Sequence, residues 1–275
     1  LKRGTPGQLD DVRDAAEKLM VLKRRFGKDV EMSLVDESGA YRNYAVSDLD
    51  RPQFGLFGID VSKPFPAVED LEIDAKGIVH LRADQCCFYV SSVLRFGWAR
   101  SVEWYWRSAR LLKALHLSPG TPLETYVPRD AHDLARYLDD SLVLAVEGWG
   151  AAAKQRLLEL MARYNVPYSV EKDERDGKVE FTKQFLGVVI DGLNEEMRIS
   201  AARLDKMLGK LNDAKDRSFM LRSEFASLVG LLSFAASCAP ASRTFMKRMF
   251  RALRVSHGRF LRLDRGLKAD LAFWV

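Results

Sequence analysis

The pattern of apolar and polar positions divides the chain into alternating helical and extended stretches. Residues 9–26, LDDVRDAAEKLMVLKRRF, place Val12, Ala15, Ala16, Leu19, Met20 and Leu22 near helical spacing, and Gly27 marks the end. DVEMSLVD then reads as a strand closing at Asp36. Residues 41–90 are mixed, punctuated by Pro52, Pro64 and Pro66, with strand-like pieces at 78–82 and 86–94. Residues 98–117 form a Trp- and Arg-rich helical stretch broken by Pro119-Gly120. The pattern predicts a short helix over 130–136, a buried strand from Ser141 to Ala145, and a helix over 150–164. VPYSVEK and KVEFTKQFLGVVID read as strands joined by a hairpin at Asp176-Gly177. From Ser200 onward the expectation is helices only: AARLDKMLGKLNDA, SEFASLVGLLSFAASC, then a basic helix SRTFMKRMFRAL.

This order, with strands among helices followed by helices alone, predicts an α+β body over 1–199 and a helical unit over 200–275. The chain has 275 residues, 47% of them hydrophobic, enough for a substantial core and unlike the composition of a disordered protein. Three cysteines, two of them adjacent (Cys86, Cys87) and none in a zinc spacing, suggest a reduced, intracellular protein. The most apolar segment, LVGLLSFAASCAPA, is too short to span a bilayer, so no membrane partner is expected. The chain starts at Leu1 and stops at Val275 without a tail, which suggests a piece of something longer.

Charge changes the picture in one respect. The net charge is +5, but residues 201–275 carry fifteen Lys/Arg against six Asp/Glu, or +9, leaving −4 for residues 1–200. A basic terminal third beside an acidic body suits a polyanion partner, although solvated basic helices give the same count.

The chemistry-bearing feature is the pair Asp139-Asp140, set between Tyr137 and a run of β-formers in YLDDSLVLA. Adjacent carboxylates repel, and an apolar neighbourhood worsens this unless a cation, an arginine or backbone N–H groups lie between them. Asp36 stands at the end of its own predicted strand. If the two strands are neighbours, three carboxylates meet at one sheet rim, supplying the hard oxygen ligands of a two-Mg²⁺ site. Asp-Asp pairs are also common at turns and caps. The pairing of DESGAY with YLDD, rather than either alone, favours the site.

Taken in order, these residues resemble a reverse transcriptase, most closely those of tyrosine-recombinase (DIRS-like) retroelements. LVDESGAYRNYAVSDLDRPQFGL resembles the first catalytic motif, VLRFGWARSVEWYWR the Leu-Pro-Phe-Gly motif, and YLDDSLVLA the catalytic Tyr-x-Asp-Asp. YSVEKD resembles the motif whose lysine protonates pyrophosphate, FLGVVID the primer grip, and SEFASLVGLLSFAASCAPASRTFMKRMF the thumb. LKADLAFW resembles the start of an RNase H connection.

The resemblance implies a right-hand palm, with a ferredoxin/RRM-like antiparallel sheet and helices, plus a helical thumb and partial fingers. It implies RNA-directed DNA synthesis from dNTPs on a primer 3′-end, with RNA template and DNA primer as partners and two Mg²⁺ (or Mn²⁺) ions held by Asp36, Asp139 and Asp140. It further implies Tyr41, Gly97 and Tyr137 at the nucleotide, Tyr41 as the gate against a 2′-hydroxyl, and Lys172 as general acid. Arg243, Lys247, Arg248, Arg251 and Arg254 would face duplex phosphates. RNase H or integrase regions would lie outside this chain, and residence would be nuclear or cytoplasmic.

Departures are specific. Only 35 residues precede Asp36, fewer than the roughly hundred of a full fingers subdomain. Arg95 replaces the proline of Leu-Pro-Phe-Gly, Trp98, Glu103, Trp104 and Trp106 are bulky or charged where small residues are usual, and residues 58–85 lengthen a connection. The contrasting reading is therefore a catalytically inactive retroelement-derived fragment that only binds nucleic acid.

Overall fold

The computed structural model describes residues 10–40, 55–59, 72–73, 79–80, 86–90 and 99–275. In chain order the elements are α1 (Val12–Phe26), β1 (Val30–Asp36), β2 (Gly55–Ile59), β3 (Glu72–Ile73), β4 (Val79–His80), β5 (Cys86–Val90), α2 (Ala99–Leu117), β6 (His132–Tyr137) and β7 (Asp140–Val146). There follow α3 (Gly150–Arg163), α4 (Val170–Asp176), β8 (Thr182–Phe185), β9 (Val188–Asp191), β10 (Glu196–Ile199), α5 (Ala201–Lys215), β11 (Phe219–Leu221), α6 (Arg222–Ala235), α7 (Lys247–Val255), β12 (Phe260–Arg262) and α8 (Arg265–Ala272), with a 3₁₀ stretch over Pro240–Met246.

The fold is α+β with antiparallel sheets. A three-stranded sheet ordered β1-β7-β6 lies at its centre, β8, β9 and β10 form a second three-stranded meander, and β2-β5, β3-β4 and β11-β12 are separate two-stranded pairs. β7 is buried along its length after Asp140 because both faces of the central sheet are covered. Leu142, Leu144 and Val146 point to one face, where α1 contributes Val12, Ala15, Leu19 and Leu22 and the β8–β9 hairpin contributes Phe185, Val188 and Ile190. Val143 and Ala145 point to the other, against Leu112 of α2 and Ala153, Leu157, Leu160 and Met161 of α3. A third cluster is formed wholly by residues from Met207 to Leu271 of α5 to α8 and their connections.

The ends of α1 follow its sequence. Asp11 accepts from the Arg13 and Asp14 N–H groups, Asp14 reciprocates on the Asp11 N–H, and Gly27 closes the helix at φ 63°.

Four expectations are corrected. Residues 132–137 form strand β6 rather than a helix, because they complete the sheet beside β7 and bury Leu134 and Ala135. The segment around Lys172 is helix α4, since only Tyr168 makes a β-bridge (to Glu37) before the chain turns at Ser169. Asp176-Gly177 closes that helix, and the hairpin turn is Leu186-Gly187, both at positive φ (51° and 83°) as a type I′ turn requires. Residues 200–275 are not helices only, because β11 pairs with β12. Among the described residues no helix is long and apolar enough to cross a membrane.

The face of α2 that meets α3 buries a histidine pair. His116 is fully buried and meets His132 edge-on at 4.9 Å, while Arg156 of α3 spans the end of α2 by donating to the His116 and Ser118 carbonyls. Burial, then the neighbouring His132 and Arg156, hold His116 well below the ordinary 6.5, and burial lowers His132 as well. Both are neutral in the fold and would gain protons on unfolding below pH 6.5. Stability from this pair is therefore complete above that value and falls as the pH drops beneath it. Urea denaturation between pH 7.5 and 5 is expected to show this loss, with a smaller slope in His116→Leu. An unchanged slope would separate the acid sensitivity from the pair.

Candidate active site

Strand pairing assembles the site. Asp36, the last residue of β1, is the direct partner of Asp140, the first residue of β7, and Asp140 is in turn paired with Tyr137, the last residue of β6. Direct partners on adjacent strands project to the same face, so Asp36, Asp140 and Tyr137 form a row at one end of the sheet. Asp139 lies outside the ladder, in the two-residue turn with Leu138. Leu138 sits at φ 51°, a left-handed conformation that costs a non-glycine residue about 1–2 kcal/mol. The Asp139 carbonyl accepts from the Glu37 N–H at 3.1 Å, which ties the turn to the residue after Asp36.

The same end of β1 positions Lys172. Ser38 donates its N–H to the Pro167 carbonyl and Ser169 donates to that of Asp36, both at 2.9 Å, so the 167–169 segment runs beside the strand end and launches α4. In the first turn of α4, Lys172 Nζ lies 2.8 Å from Asp36 Oδ1. That oxygen is buried and accepts no hydrogen bond of good geometry, so the lysine serves it as an ion-pair partner.

Asp36, Tyr137, Asp140 and Lys172 line a cleft of about 690 Å³. Its walls add three arginines, Arg13, Arg175 and Arg203, that the motifs did not single out. The opposite rim is the Leu186-Gly187 turn. The Arg203 guanidinium lies 4.2 Å from the centroid of the Phe234 ring and so close to Gly187 that a Cβ there would meet its Nε at 2.5 Å. Glycine at 187 thus serves both the positive φ and the approach of this cation.

The electrostatics are those of crowded carboxylates. Burial, then Asp139 and Asp36, push the Asp140 carboxyl up to about 6, against the opposing pull of Lys172. The ammonium of Lys172 is raised by its bond to Asp36, with smaller support from Asp140 and Asp139. Among the described residues no group of three or more His, Cys, Asp or Glu side chains is gathered tightly enough to hold a metal as it stands. The structure brings Asp36 and Asp140 into the cleft, while Asp139 acts on Asp140 from the turn and is not part of the lining.

Tyr41 and Gly97 lie outside the described residues. Arg243 lies in the 3₁₀ stretch, and Lys247, Arg248, Arg251 and Arg254 on α7, all of them exposed. α7 buries Met249 and turns Lys247, Arg251 and Arg254 to the opposite side, where Phe250 is also exposed. Arg248 differs from its neighbours. Its Nε and Nη2 make a two-pronged contact with the buried Asp270 at 2.8 and 2.7 Å, which fastens α7 to α8. Residues missed by the motif reading are Glu37, Tyr105 and Arg136, which meet in the interior just behind the carboxylates. A charged residue beside a strand end gives no sign of being buried until its partners on other elements are known.

No protein-family model matches the chain, and no curated protein sequence matches it. Solved structures do. A foamy viral protease-reverse transcriptase in complex with double-stranded DNA superposes with a TM-score of 0.55 at 13% identity, covering 90% of this chain and 35% of that one. A foamy viral protease-reverse transcriptase in complex with an RNA/DNA hybrid gives 0.55 at 14%, covering 98% and 30%. The chain thus spans about a third of the length of these structures and shares with them a palm-like α+β arrangement. At this identity the likeness is one of fold.

The raised Asp140 carries a sign that can be checked without substrate. Its contribution to stability is complete below the ordinary 3.8 and is lost as pH rises through about 6, so at neutral pH its ionised form opposes folding. Asp140→Asn is expected to melt higher than the parent at pH 7.5 in EDTA, with the gain shrinking toward pH 4. A variant that melts lower at pH 7.5 would contradict carboxylate crowding.

Proposed function

We propose that this chain is the polymerase core of a reverse transcriptase, of the kind found in DIRS-like retroelements, with a palm and partial fingers over 1–199 and a basic thumb over 200–275. The observation that carries the reading is the direct pairing of Asp36 with Asp140 in a cleft that also holds Lys172 and three arginines, within a fold shared with viral reverse transcriptases. The substrates would be dNTPs, an RNA template and a DNA primer.

The donor set fits a hard divalent cation. Asp36 and Asp140 offer carboxylate oxygens from adjacent strands, Asp139 stands in the adjoining turn, and Asp140 is raised first by burial and then by the charges of Asp139 and Asp36, which a cation would offset. Asp36, Asp139 and Asp140 would hold Mg²⁺ or Mn²⁺. Such ions supply activation of the primer 3′-hydroxyl and stabilisation of the leaving pyrophosphate.

The chain's own residues would do the rest. Tyr137 flanks the nucleotide at the end of β6, with Tyr41 and Gly97 assigned to it by motif. Arg13 and Arg203 supply positive charge along the cleft for the triphosphate or the nucleic-acid backbone, whereas Arg175 is engaged by Asp176. Lys172, kept protonated by Asp36, would release that carboxylate on metal loading and pass the proton on Nζ to a pyrophosphate oxygen. Lys247, Arg251 and Arg254 form the stripe for duplex phosphates, with Arg243 before them. Arg248, engaged with Asp270, would contribute chiefly by holding α7 in place.

The reading of an inactive fragment that only binds nucleic acid is favoured by the short stretch before Asp36 and by the Lys172–Asp36 ion pair, which places a cation of the protein against one of the proposed metal ligands. Primer extension separates the two readings. With an RNA template, dNTPs and Mg²⁺ or Mn²⁺, DNA synthesis that disappears in Asp139→Asn/Asp140→Asn is expected. Absence of synthesis, with duplex binding that survives the double substitution, would establish the fragment instead.

The thumb assignment has its own measurement. Lys247→Ala/Arg251→Ala should weaken duplex binding regardless of sequence and lower the slope of log K against log salt by about 2, one for each phosphate contact removed. An unchanged slope would place the duplex elsewhere.

A further inference from the structure

Behind the carboxylates, three elements send polar side chains to a single point. Tyr105 of α2 lies in a buried stripe with Ala109, Leu112 and His116, and is itself fully buried. Its hydroxyl is 2.7 Å from Glu37 Oε2 and 3.1 Å from the Leu138 carbonyl, sharing one proton between them, and it accepts from Arg136 Nη2 at 3.0 Å. Arg136 Nη2 also donates to Glu37 Oε2, with the two side chains 3% and 1% exposed. Glu37 follows Asp36, and Arg136 precedes the Tyr137–Asp140 turn, so the cluster joins the two ends that carry the carboxylates and anchors both to α2.

Backbone bonds complete the arrangement. The two carbonyls of the turn are both held, that of Leu138 by the Tyr105 hydroxyl and that of Asp139 by the Glu37 N–H. A buried ion pair is seldom more stabilising than apolar residues of the same volume, so stability alone is a weak reason for this cluster. Geometry is a stronger one. Leu138 is in a left-handed conformation and needs fixed partners on either side to stay there. Burial holds the Tyr105 phenol protonated at every working pH, so the proton shared between Glu37 and the Leu138 carbonyl stays on the hydroxyl.

We propose that Tyr105 is a positioning residue. With Glu37 and Arg136 it locks the Leu138-Asp139 turn and thereby sets where Asp139 and Asp140 stand relative to Asp36. The consequence for turnover rests on the polymerase reading, whereas the locking of the turn does not.

Two variants of the full chain test this. Tyr105→Phe removes only the hydroxyl, and Glu37→Met/Arg136→Met/Tyr105→Phe replaces the cluster with apolar side chains. In metal-free protein, hydrogen exchange at the amides of residues 138–141 is expected to accelerate about tenfold or more in both variants, while the β1–β7 ladder over 142–146 keeps its protection. The triple variant should retain the parent's melting temperature. In primer extension, kcat should fall about 10- to 100-fold with KM for dNTP within about twofold, the signature of misplaced rather than unbound reactants. Exchange that rises equally along the whole sheet would make Tyr105 an ordinary core residue and overturn the proposal, as would turn exchange identical to the parent's. If the parent itself extends no primer, the polymerase reading falls, and the exchange measurement still decides the clamp.

Discussion

The β1–β7 register is the constraint from which the rest of the site follows. Side chains alternate faces along a strand, so a slip of one residue would turn the core set to the opposite side and separate Asp36 from Asp140. Seven consecutive antiparallel pairs, from Val30↔Val146 to Asp36↔Asp140, hold this register. It is enforced from both faces. Met32, Leu142 and Leu144 must meet α1 and the β8–β9 hairpin, while Val35, Val143 and Ala145 must meet α2 and α3. The carboxylates occupy the last rung, where apolar packing gives way to the cleft.

That placement creates a conflict between stability and chemistry. Burial at the edge of the core, and then the neighbouring Asp139 and Asp36, raise the proton affinity of Asp140. Within the fold the Lys172 ammonium on Asp36 opposes that shift, while the Glu37 N–H on the Asp139 carbonyl and the buried Tyr105–Arg136–Glu37 cluster contact the turn between β6 and β7. Strain at Leu138 belongs to the same picture, since a conformation unfavourable for leucine is maintained only where its surroundings over-determine it.

Charge is arranged on a longer scale with the same economy. Around the cleft, Arg13, Arg175 and Arg203 of α1, α4 and α5 alternate with Asp11, Asp173 and Asp176, and Arg175 is paired with Asp176. On α7 the core side is narrow, leaving Lys247, Arg251 and Arg254 on a continuous exposed stripe. Arg248, in the same helix and equally basic in sequence, is committed to Asp270. Equal charge in a sequence therefore does not mean equal availability to a polyanion.

Local pattern was enough to place α1, β1, α2, α3 and α5 to within a few residues, because their apolar periodicity and their Gly and Pro boundaries agree with the final packing. The pairing of DESGAY with YLDD pointed to strand ends that would meet, and the register places Asp36 directly opposite Asp140. The tertiary structure decided what local signals misread. HDLARY became a strand because the free edge of β7 needed a partner, and the segment around Lys172 became a helix because the β1 edge accepted only residues 167–169 before the chain turned. It also decided which charges are used. Nothing in the local pattern distinguishes Glu37 and Arg136, which α2 buries together, and Lys172 read as a strand lysine until α4 brought it to Asp36. Hydrophobic period and turn chemistry act over a few residues and are written in the sequence, whereas register, burial of charge and the meeting of side chains across the sheet arise only when distant segments share one core.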